Sequence, residues 1–353
     1  MEYPFYFYAA VLESNNKPLS IKKIKFPGPL KPGQILVKLF YSGICGKQIE
    51  EIKGLGGDDP YLPHLLGHEA TAIVLDKSAE VSKVNVGDTV VLHWMKGDGL
   101  QSEVPDYFCA ETGIKINAGW VTTFNDHAVV SENRVTKISG KSDLMPTALF
   151  GCAATTGPGV VFNQMNISDE TSVAVVGVGG VGLFVIQALA LKKPKNIVAI
   201  DINDKALTLA KKMGATNIFN SSNTDFTKKI NDIKGSGFDY VLTVTGDKEA
   251  IESSIELASV PGQVIIIGVP PKDSKIKVDP WKIMHLRNIS GSLGGSINPS
   301  TDIPEYINLY EQGKLPIDTV VTNVFDFRNI NQAIELFNSE NHSGRIMIKF
   351  NHD

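Results

Sequence analysis

Three residues from separate parts of the chain have the side chains of an open zinc site. Cys45 lies in YSGICGKQIEE, His68 in LLGHEATAIV and Cys152 in LFGCAATTGPGV. Two thiolates and one imidazole bind zinc in four-coordinate sites that keep one position free for a substrate. Because a metal in such a site polarises a substrate oxygen, these residues predict chemistry on an alcohol or a carbonyl. Taken singly, each has a simpler explanation, since a buried Cys is commonly a small hydrophobe.

A glycine-rich turn after Cys152 predicts a dinucleotide site. Gly177, Gly179 and Gly182 form the pattern G-x-G-x-x-G at the end of a predicted strand, SVAVVGVG. The first glycine permits a tight turn, the second lets a pyrophosphate approach the backbone, and the third lets helix and strand pack closely. The alternative is a tight turn in a sheet that binds nothing.

Asp201 predicts which dinucleotide binds. It ends the next predicted strand, NIVAID, about twenty residues beyond the glycine turn, which is the distance expected for a ribose-binding acid. A carboxylate there hydrogen-bonds the adenosine ribose and repels a 2′-phosphate, so NAD is favoured over NADP. The alternative is that Asp201 only caps a helix. A dinucleotide beside a metal indicates hydride transfer.

The elements that must position these residues divide the chain in two. At 353 residues the chain exceeds the usual size of one core. Short apolar stretches broken by Gly and Pro fill its first part, and Val/Ile-rich strands then alternate with helical segments. Two helical segments, TDIPEYINLYEQG and NINQAIELFN, and a closing strand, GRIMIKF, follow. We therefore predict an α/β protein with a β-rich catalytic domain at 1–152 and 296–353 and a doubly wound parallel-sheet domain at 153–295.

The composition excludes several classes of function. With 42% hydrophobic residues, 20% charged residues and a net charge of −4, the chain has no electrostatic footprint for nucleic acid. No apolar run reaches the roughly 18 residues of a membrane span. Three cysteines cannot build a disulfide framework, and the N-terminus lacks the basic segment of a secretory signal. We expect a cytoplasmic protein with neither a nucleic-acid nor a membrane partner.

Over nearly its whole length the chain resembles the zinc-dependent medium-chain alcohol dehydrogenase family, closest in pattern to the class III type. The resemblance rests on the Cys45 motif and on GHE at 67–69, GCAATTG at 151–157, GVGGVG at 177–182, DIN at 201–203, MGATN at 213–217, GVPP at 268–271 and SGR at 343–345. It implies a GroES-like catalytic domain, a Rossmann cofactor domain, zinc and NAD as cofactors, and reversible hydride transfer between an alcohol and NAD.

The resemblance also implies roles for residues around the metal. Cys45, His68 and Cys152 match the ligands of the catalytic zinc, and this ligand set is the one described for alcohol dehydrogenase. Glu69 matches a carboxylate behind the metal, which tunes the metal or ligates it transiently. Trp94 matches an aromatic wall of the substrate pocket.

Five further positions match the cofactor site of the family. Thr156 and Val181 match residues that pack on the nicotinamide, and Gly180 belongs to the phosphate-binding turn. Gly268, in the GVPP motif, lies where the family contacts the cofactor. Arg345 matches an arginine that binds the pyrophosphate.

One departure from the family concerns the metal count. Related enzymes often carry a four-cysteine lobe that holds a structural zinc, whereas the corresponding stretch, 95–120, contains only Cys109. One thiol cannot make a closed four-cysteine site, so we predict one zinc per chain. Gly46 replaces a basic residue that some members place on the pyrophosphate, which leaves more of that work to Arg345.

A second departure follows Cys45 directly. Lys47 stands where a Ser or Thr normally takes the substrate proton, Gln48 where Asp is common, and Glu50 where some members place a relay histidine. An amine near a metal gives up its proton readily, so Lys47 could act as a general base. As an ammonium it could instead hold a phosphate or carboxylate of the substrate. In the third alternative it points to solvent, and ribose hydroxyls or water carry the proton.

We therefore predict a zinc-dependent, NAD-linked alcohol dehydrogenase whose alcohol could be sugar-derived, phosphorylated or otherwise anionic. Glutathione-linked formaldehyde oxidation is a further candidate from the resemblance. Two alternatives stay open: a zinc-free reductase of the same superfamily, and a cofactor-binding protein without turnover. The segment RNISGSLGGSI resembles an edge strand through which family members associate, which predicts a homodimer or homotetramer.

Overall fold

The computed structural model describes residues 1–339 and 342–352. The first part of the chain consists mainly of strands. Its elements are β1 (Phe5–Leu12), β2 (Ser20–Phe26), β3 (Gln34–Gly43), α1 (Gly46–Ile52), β4 (His64–Leu65), β5 (Ala70–Lys77), β6 (Thr89–Leu92), β7 (Tyr107–Cys109), β8 (Lys115–Ile116), β9 (His127–Ser131) and β10 (Val135–Lys137).

The rest of the chain alternates helices and strands. The helices α2 (Leu144–Thr147) and α3 (Ala153–Asn163) come first. They are followed by β11 (Ser172–Val176), α4 (Gly180–Lys192), β12 (Asn196–Asp201), α5 (Asp204–Lys212), β13 (Asn217–Asn220), α6 (Phe226–Lys234), β14 (Phe238–Thr243), α7 (Lys248–Leu257), β15 (Ala258–Ile266), α8 (Pro280–Met284) and β16 (Arg287–Gly291). The last elements are α9 (Pro299–Glu311), β17 (Val321–Asp326), α10 (Ile330–Phe337) and β18 (Arg345–Lys349).

Parallel strands build the sheet that carries the glycine turn. In the described residues they run in the order β13-β12-β11-β14-β15-β16. Counted from β11, this is the 3-2-1-4-5-6 order of a doubly wound fold, which binds ligands where the order reverses. The reversal lies between β11 and β14. Val173, Ala174 and Val175 of the central strand are fully buried, as expected for a strand covered by helices on both faces.

The N-terminal strands form two further sheets. One has the order β4-β1-β2-β7-β8, and the other has the order β10-β6-β5-β3-β18-β17 with β9 also paired to β3. In β1, Phe7 and Ala9 are buried whereas Tyr6 and Tyr8 are exposed, because successive side chains of a strand point to opposite faces. The inward-facing residues form the core under this sheet.

The closing strand β18 brings a distant part of the chain to the end of β3. Met347 pairs with Gly43, and the Ile44 N–H donates to the Ile346 carbonyl oxygen at 3.0 Å. Arg345, at the start of β18, therefore lies close to Cys45, which follows β3.

Direct packing of α3 on α4 fixes the position of Cys152 relative to the glycine turn. A Cβ at Gly157 in α3 would lie 2.7 Å from the Cβ of Phe184 in α4, so the absence of a side chain lets the helices pack directly. Cys152 immediately precedes α3, and the glycine turn immediately precedes α4.

The predicted helices near residues 299–311 and 330–337 and the closing strand are present. Neither β13 nor α6 was predicted from the sequence; β13 has only four residues and no buried apolar run. The domain boundaries stay a prediction.

In the described part of the chain, no single helix is long and apolar enough to cross a membrane. Only the bent pair 144–151 and 153–163 reaches that length and composition, when its two parts are counted together.

Candidate metal centre and dinucleotide site

The side chains of Cys45, His68 and Cys152 converge. Their two sulfur atoms and one His68 ring nitrogen lie within 4.8 Å of one another, and no other such cluster of Cys, His, Asp and Glu occurs in residues 1–339 and 342–352. Nε2 of His68 is buried and makes no hydrogen bond to any described residue, which calls for an explanation. A metal ligand explains it, and two thiols with one ring nitrogen fit an open zinc site.

The local backbone conformation at each of the three residues directs its side chain toward the cluster. Cys45 ends the segment after β3 and is the N-cap of α1. His68 follows Gly67, whose φ of +89° favours glycine and whose Cβ would lie 2.3 Å from Thr123 Oγ1. Cys152 has an extended φ of −153° where the chain turns into α3. Each ligand residue therefore lies in a short segment between two regular elements.

The two thiols of the cluster differ in acidity. The pKa of Cys45 lies well below its usual value because Cys152 donates a hydrogen bond to it; burial opposes this shift, and the contact with the His68 ring adds to it. The pKa of Cys152 lies well above its usual value because of the same hydrogen bond and because of burial. Cys45 is therefore the more acidic thiol of the two, and the thiolate is the form that binds metals.

Glu69 forms a buried ion pair behind the cluster. Its carboxylate is fully buried and is bound by the Arg345 guanidinium. The Ala153 N–H donates to the other oxygen, Oε2, at 3.3 Å. A Cβ at Gly43 would lie 2.2 Å from Glu69 Oε1, so only glycine leaves room for this carboxylate. Glu69 is not among the clustered ligand atoms, and its transient ligation of a metal stays a prediction.

Arg345 connects the cluster to the glycine turn. Its guanidinium binds Glu69 and contacts the Cys45 side chain, whereas its Cδ would lie 2.4 Å from a Cβ at Gly180. Burial lowers the pKa of Arg345, but the charges of Glu69 and Cys45 outweigh burial and raise it. Its Nε is buried without a hydrogen-bond partner among the described residues. The predicted pyrophosphate contact would therefore use atoms that Glu69 leaves free.

Gln48 makes two contacts with residues of the cluster that were not predicted from the sequence. Its Oε1 accepts a hydrogen bond from the Cys45 N–H at 2.9 Å, and its Nε2 contacts Nδ1 of His68. The first contact follows the spacing of a capping box, in which the residue three positions after the N-cap reaches back to it. That spacing is visible in the sequence. The second contact joins residues twenty positions apart and depends on the fold.

Lys47 does not face the cavity that lies beside the Cys45, His68 and Cys152 cluster. Lys47 Nζ lies 3.6 Å from Glu50 Oε2 on the same face of α1, and the Lys47 side chain is 46% exposed. Neither residue lines the cavity beside His68. Burial raises the pKa of Glu50, and the charge of Lys47 opposes that shift.

A cavity of about 590 Å³ opens beside His68 and Gln48. Trp94 and Trp120 form part of its wall, and the role of Trp94 in a substrate pocket stays a prediction. Apart from His68, the acidic and basic residues in its lining are Glu51, Asp59, His64 and Arg134, and Asp59 Oδ2 lies 2.8 Å from Nε2 of His64. The guanidinium of Arg134 is already engaged, since Nη1 donates to the Trp94 carbonyl oxygen at 2.9 Å and the group lies over the Trp120 ring.

The glycine turn has the geometry that a dinucleotide requires. Gly177 has a φ of +88°, and a Cβ at Gly182 would lie 2.2 Å from the Gly177 carbonyl oxygen. A Cβ at Gly179, in contrast, would meet nothing within 4 Å. The turn is tight where the chain packs on itself and open at the N-terminus of α4, where a pyrophosphate would meet backbone amides. The residues therefore fit the cofactor.

Asp201 lies at the end of β12, beside this turn. Its Oδ2 accepts a hydrogen bond from the Val178 N–H at 2.7 Å, and its Oδ1 accepts one from the Asn203 N–H at 2.9 Å. The carboxylate is thus held in place by the turn itself. It remains partly exposed, so a ribose could still reach it.

The other predicted cofactor residues lie around the same crevice. Thr156 is in α3, and its hydroxyl donates to the Cys152 carbonyl oxygen at 2.8 Å. Val181 is in the first turn of α4. A Cβ at Gly268 would lie 2.3 Å from the Thr245 carbonyl oxygen, so Gly268 permits close approach of the segments after β14 and β15.

Comparison with known proteins agrees with this geometry. The family model "Alcohol dehydrogenase GroES-like domain" matches residues 31–140, and the model "Zinc-binding dehydrogenase" matches residues 180–312. Together they cover more than half of the chain. The chain belongs to the zinc-dependent medium-chain alcohol dehydrogenases.

Full-length relatives support the same family. The S-(hydroxymethyl)glutathione dehydrogenase of Synechocystis sp. is 30% identical, over 93% of this chain and 95% of the relative. The class-3 alcohol dehydrogenase of Cereibacter sphaeroides is 29% identical, over 94% of this chain and 96% of the relative. This dehydrogenase is therefore an oxidoreductase, and the predicted family and activity class are confirmed.

Solved structures of the family share its fold. The alcohol dehydrogenase zinc-binding domain protein of Burkholderia ambifaria has a TM-score of 0.89 at 25% identity, covering 99% of this chain and 100% of that protein. The benzyl alcohol dehydrogenase of Acinetobacter calcoaceticus has a TM-score of 0.87 at 26% identity, covering 98% and 100%. The predicted GroES-like and Rossmann architecture is confirmed. Zinc-binding dehydrogenases use zinc and NAD(H) on small-molecule alcohols.

Cys109 occupies the region where some alcohol dehydrogenases place four cysteines. It is buried in β7, within the sheet that also contains β8. The other two cysteines of the chain belong to the cluster, so no second thiol is available to Cys109. The metal count of one per chain stays a prediction.

Proposed function

We propose that Cys45, His68 and Cys152 hold a catalytic zinc, one per chain, and that the glycine turn and Asp201 bind NAD. The observation that carries the proposal is the convergence of the three ligand side chains within 4.8 Å. A zinc ion held there would supply a Lewis acid for a substrate oxygen, and NAD would accept hydride from the carbinol carbon.

The residues around the cluster give this site its shape. The Cys45 thiol is the more acidic of the two and would lose its proton first. Trp94 and Trp120 wall the cavity that leads to His68, so they would orient an alcohol and limit the access of water. Arg345 spans from Glu69 to the first residue of α4. It therefore couples the position of the cofactor turn to that of the metal ligands.

We propose that ribose hydroxyls or water, rather than Lys47, carry the substrate proton to solvent. Lys47 Nζ lies 3.6 Å from Glu50 Oε2, and neither residue lines the cavity beside His68. Lys47→Ser should therefore leave the rates with matched neutral and anionic alcohols unchanged. An equal loss with both alcohols would instead assign Lys47 to proton transfer, and a selective loss with the anionic alcohol would assign it to substrate binding.

For the substrate, we propose a neutral or cationic alcohol with a ring that packs on the Trp walls. Glu51 and Asp59 both line the cavity, Asp59 is paired with His64 at 2.8 Å, and Arg134 holds the Trp94 carbonyl oxygen and lies over the Trp120 ring. Glu51 is therefore the carboxylate that would repel an anion, and on this ground we do not propose the phosphorylated or otherwise anionic alcohol suggested by Lys47. S-(hydroxymethyl)glutathione, the substrate in the name of the Synechocystis relative, belongs in the test set as an anionic member.

The decisive experiment measures NADH formation with a panel of alcohols, with and without a zinc chelator. A zinc dehydrogenase loses its activity with the chelator, whereas a zinc-free reductase keeps it. A protein that only binds the cofactor forms no NADH with any alcohol. Cys152→Ser should abolish turnover while NADH still binds, and metal analysis of the wild type should give one zinc per chain.

We also propose a homodimer formed through β16. This strand is an edge of its sheet in the described residues, and Trp281, Leu286 and Leu293 nearby are 65%, 74% and 71% exposed. A second copy could pair with the edge and cover these side chains. Leu293→Lys should reduce the mass found by sedimentation to that of a monomer. Val86→Lys, at a 59% exposed residue in a different domain, should leave the mass unchanged.

A further inference from the structure

Gln48 uses both ends of its amide on the residues of the cluster. Its oxygen accepts from the Cys45 N–H, and its nitrogen faces Nδ1 of His68. The side chain is 1% exposed, so water cannot replace either partner. The Cys45 N–H fixes which end is which, because that donor requires the oxygen.

This arrangement determines which ring nitrogen of His68 carries the proton. A neutral imidazole has one N–H donor and one acceptor nitrogen. Since the Gln48 amide nitrogen can only donate, Nδ1 must accept, and the proton lies on Nε2. Nε2 is the buried nitrogen that otherwise has no hydrogen-bond partner among the described residues. To bind a metal through Nε2, His68 would need its proton on Nδ1 instead.

The Gln48 amide cannot accept a hydrogen bond from Nδ1–H of His68 without losing the hydrogen bond that it accepts from the Cys45 N–H. If Gln48 turns its oxygen toward an N–H at Nδ1 of His68, its NH₂ group faces the Cys45 N–H. Two donors then oppose each other in a buried place, which is unfavourable. The conflict arises because an amide offers only one acceptor atom for two N–H groups.

We propose that Gln48 is a positioning residue that weakens zinc binding by opposing the His68 tautomer that ligates metal. The inference rests on the zinc site proposed above. Groups that hold the second nitrogen of a metal-binding histidine change affinity by about tenfold to a hundredfold. A glutamate of the same length offers two acceptors, one for Cys45 N–H and one for Nδ1–H. Gln48→Glu should therefore bind zinc about tenfold to a hundredfold more tightly.

The test compares zinc affinities of metal-free full-length proteins by competition with a chromophoric chelator. Lys47→Gln is the matched control, because it makes the same change in net charge one residue away and leaves both Gln48 contacts in place. The charge of the exposed Lys47 is screened, so its removal should change affinity by less than about threefold. A gain confined to Gln48→Glu supports the inference. No gain in Gln48→Glu, or an equal gain in Lys47→Gln, overturns it.

A second measurement reads the tautomer in the metal-free wild type itself. Nitrogen NMR reports the His68 tautomer directly, and the signals that are absent from His68→Gln are assigned to His68. Protonation at Nε2 supports the inference, and protonation at Nδ1 overturns it. If the wild type binds no zinc at all, the proposed zinc site itself fails. If it binds zinc but Gln48→Glu gains nothing, only the inference about Gln48 fails.

Discussion

Alanine substitutions in the glycine turn should separate cofactor binding from folding. A methyl group at Gly179 meets nothing within 4 Å, and the φ of −68° suits any residue. The free energy of unfolding should therefore change by less than about 0.5 kcal/mol. The same methyl group would fill the space through which a pyrophosphate reaches the amides of α4. We expect the Kd for NADH to rise at least about tenfold, which is 1.4 kcal/mol.

Gly182→Ala should instead damage both properties. A methyl group there would lie 2.2 Å from the Gly177 carbonyl oxygen, so helix and strand must separate by about 1 Å to regain contact distance. Overpacking of this kind costs about 1–3 kcal/mol of folding free energy. The shift also displaces the turn itself, so NADH binding weakens as well.

The assays are urea unfolding and titration of NADH fluorescence on the same preparations. Gly140→Ala is the matched control, because its new methyl group comes no closer than 3.9 Å to another atom and lies on the surface. It should leave both measurements unchanged. Tight NADH binding by Gly179→Ala would refute the placement of the pyrophosphate. Equal stability of Gly182→Ala and the wild type would refute the packing argument.

Three other outcomes are expected. Asp201→Ser should lower the ratio of kcat/KM with NAD to that with NADP by about tenfold or more, and an unchanged ratio would remove Asp201 from the ribose site. Arg345→Met leaves the buried Glu69 carboxylate without its ion-pair partner, and urea unfolding at neutral pH should show that the free energy of unfolding falls by about 3–5 kcal/mol. Once Arg345 is gone, burial alone raises the pKa of Glu69, so the buried side chain of the variant is more stable as the neutral acid. The loss of unfolding free energy should therefore become smaller as the pH falls toward the ordinary value of 4.5 and larger as the pH rises. A loss that does not depend on pH would contradict the charge argument. The wild type should oxidise an aminomethyl-substituted benzyl alcohol with a kcat/KM about tenfold higher than that for the carboxylate-substituted benzyl alcohol. Glu51→Gln should bring the two kcat/KM values closer together. A higher kcat/KM for the carboxylate-substituted alcohol would show that Glu51 does not select the substrate.

Much of the site could be predicted from short motifs because each motif encodes a local backbone requirement. The pattern at 177–182 predicted a tight, open and closely packed turn, and the structure has a positive φ at Gly177, free space at Gly179 and a backbone contact at Gly182. The family resemblance predicted an aromatic wall at Trp94, and Trp94 lines the cavity beside His68. Short polar elements such as β13 were not predictable, since their formation depends on pairing with β12.

The contacts that adjust the site were not predictable in the same way. Lys47 suggested an anionic substrate, but the structure pairs it with Glu50 and lines the cavity with Glu51 and Asp59 instead. The direction of a helical side chain depends on how its helix is docked, which a sequence does not state. Likewise Arg345 was expected at the pyrophosphate, and its ion pair with Glu69 appears only once β18 lies beside β3.

The sequence by itself determined the kinds of chemistry available: two thiols and an imidazole for a metal, a glycine turn for a dinucleotide, and a fold in which both occur. These follow from residue type and local spacing, which act over a few positions of the chain. Only the tertiary structure decided which groups surround that chemistry. Gln48 against His68 and Arg345 against Glu69 join residues twenty and 276 positions apart. Such pairs depend on strand order and helix docking, because buried polar groups must find partners wherever the packed chain brings them.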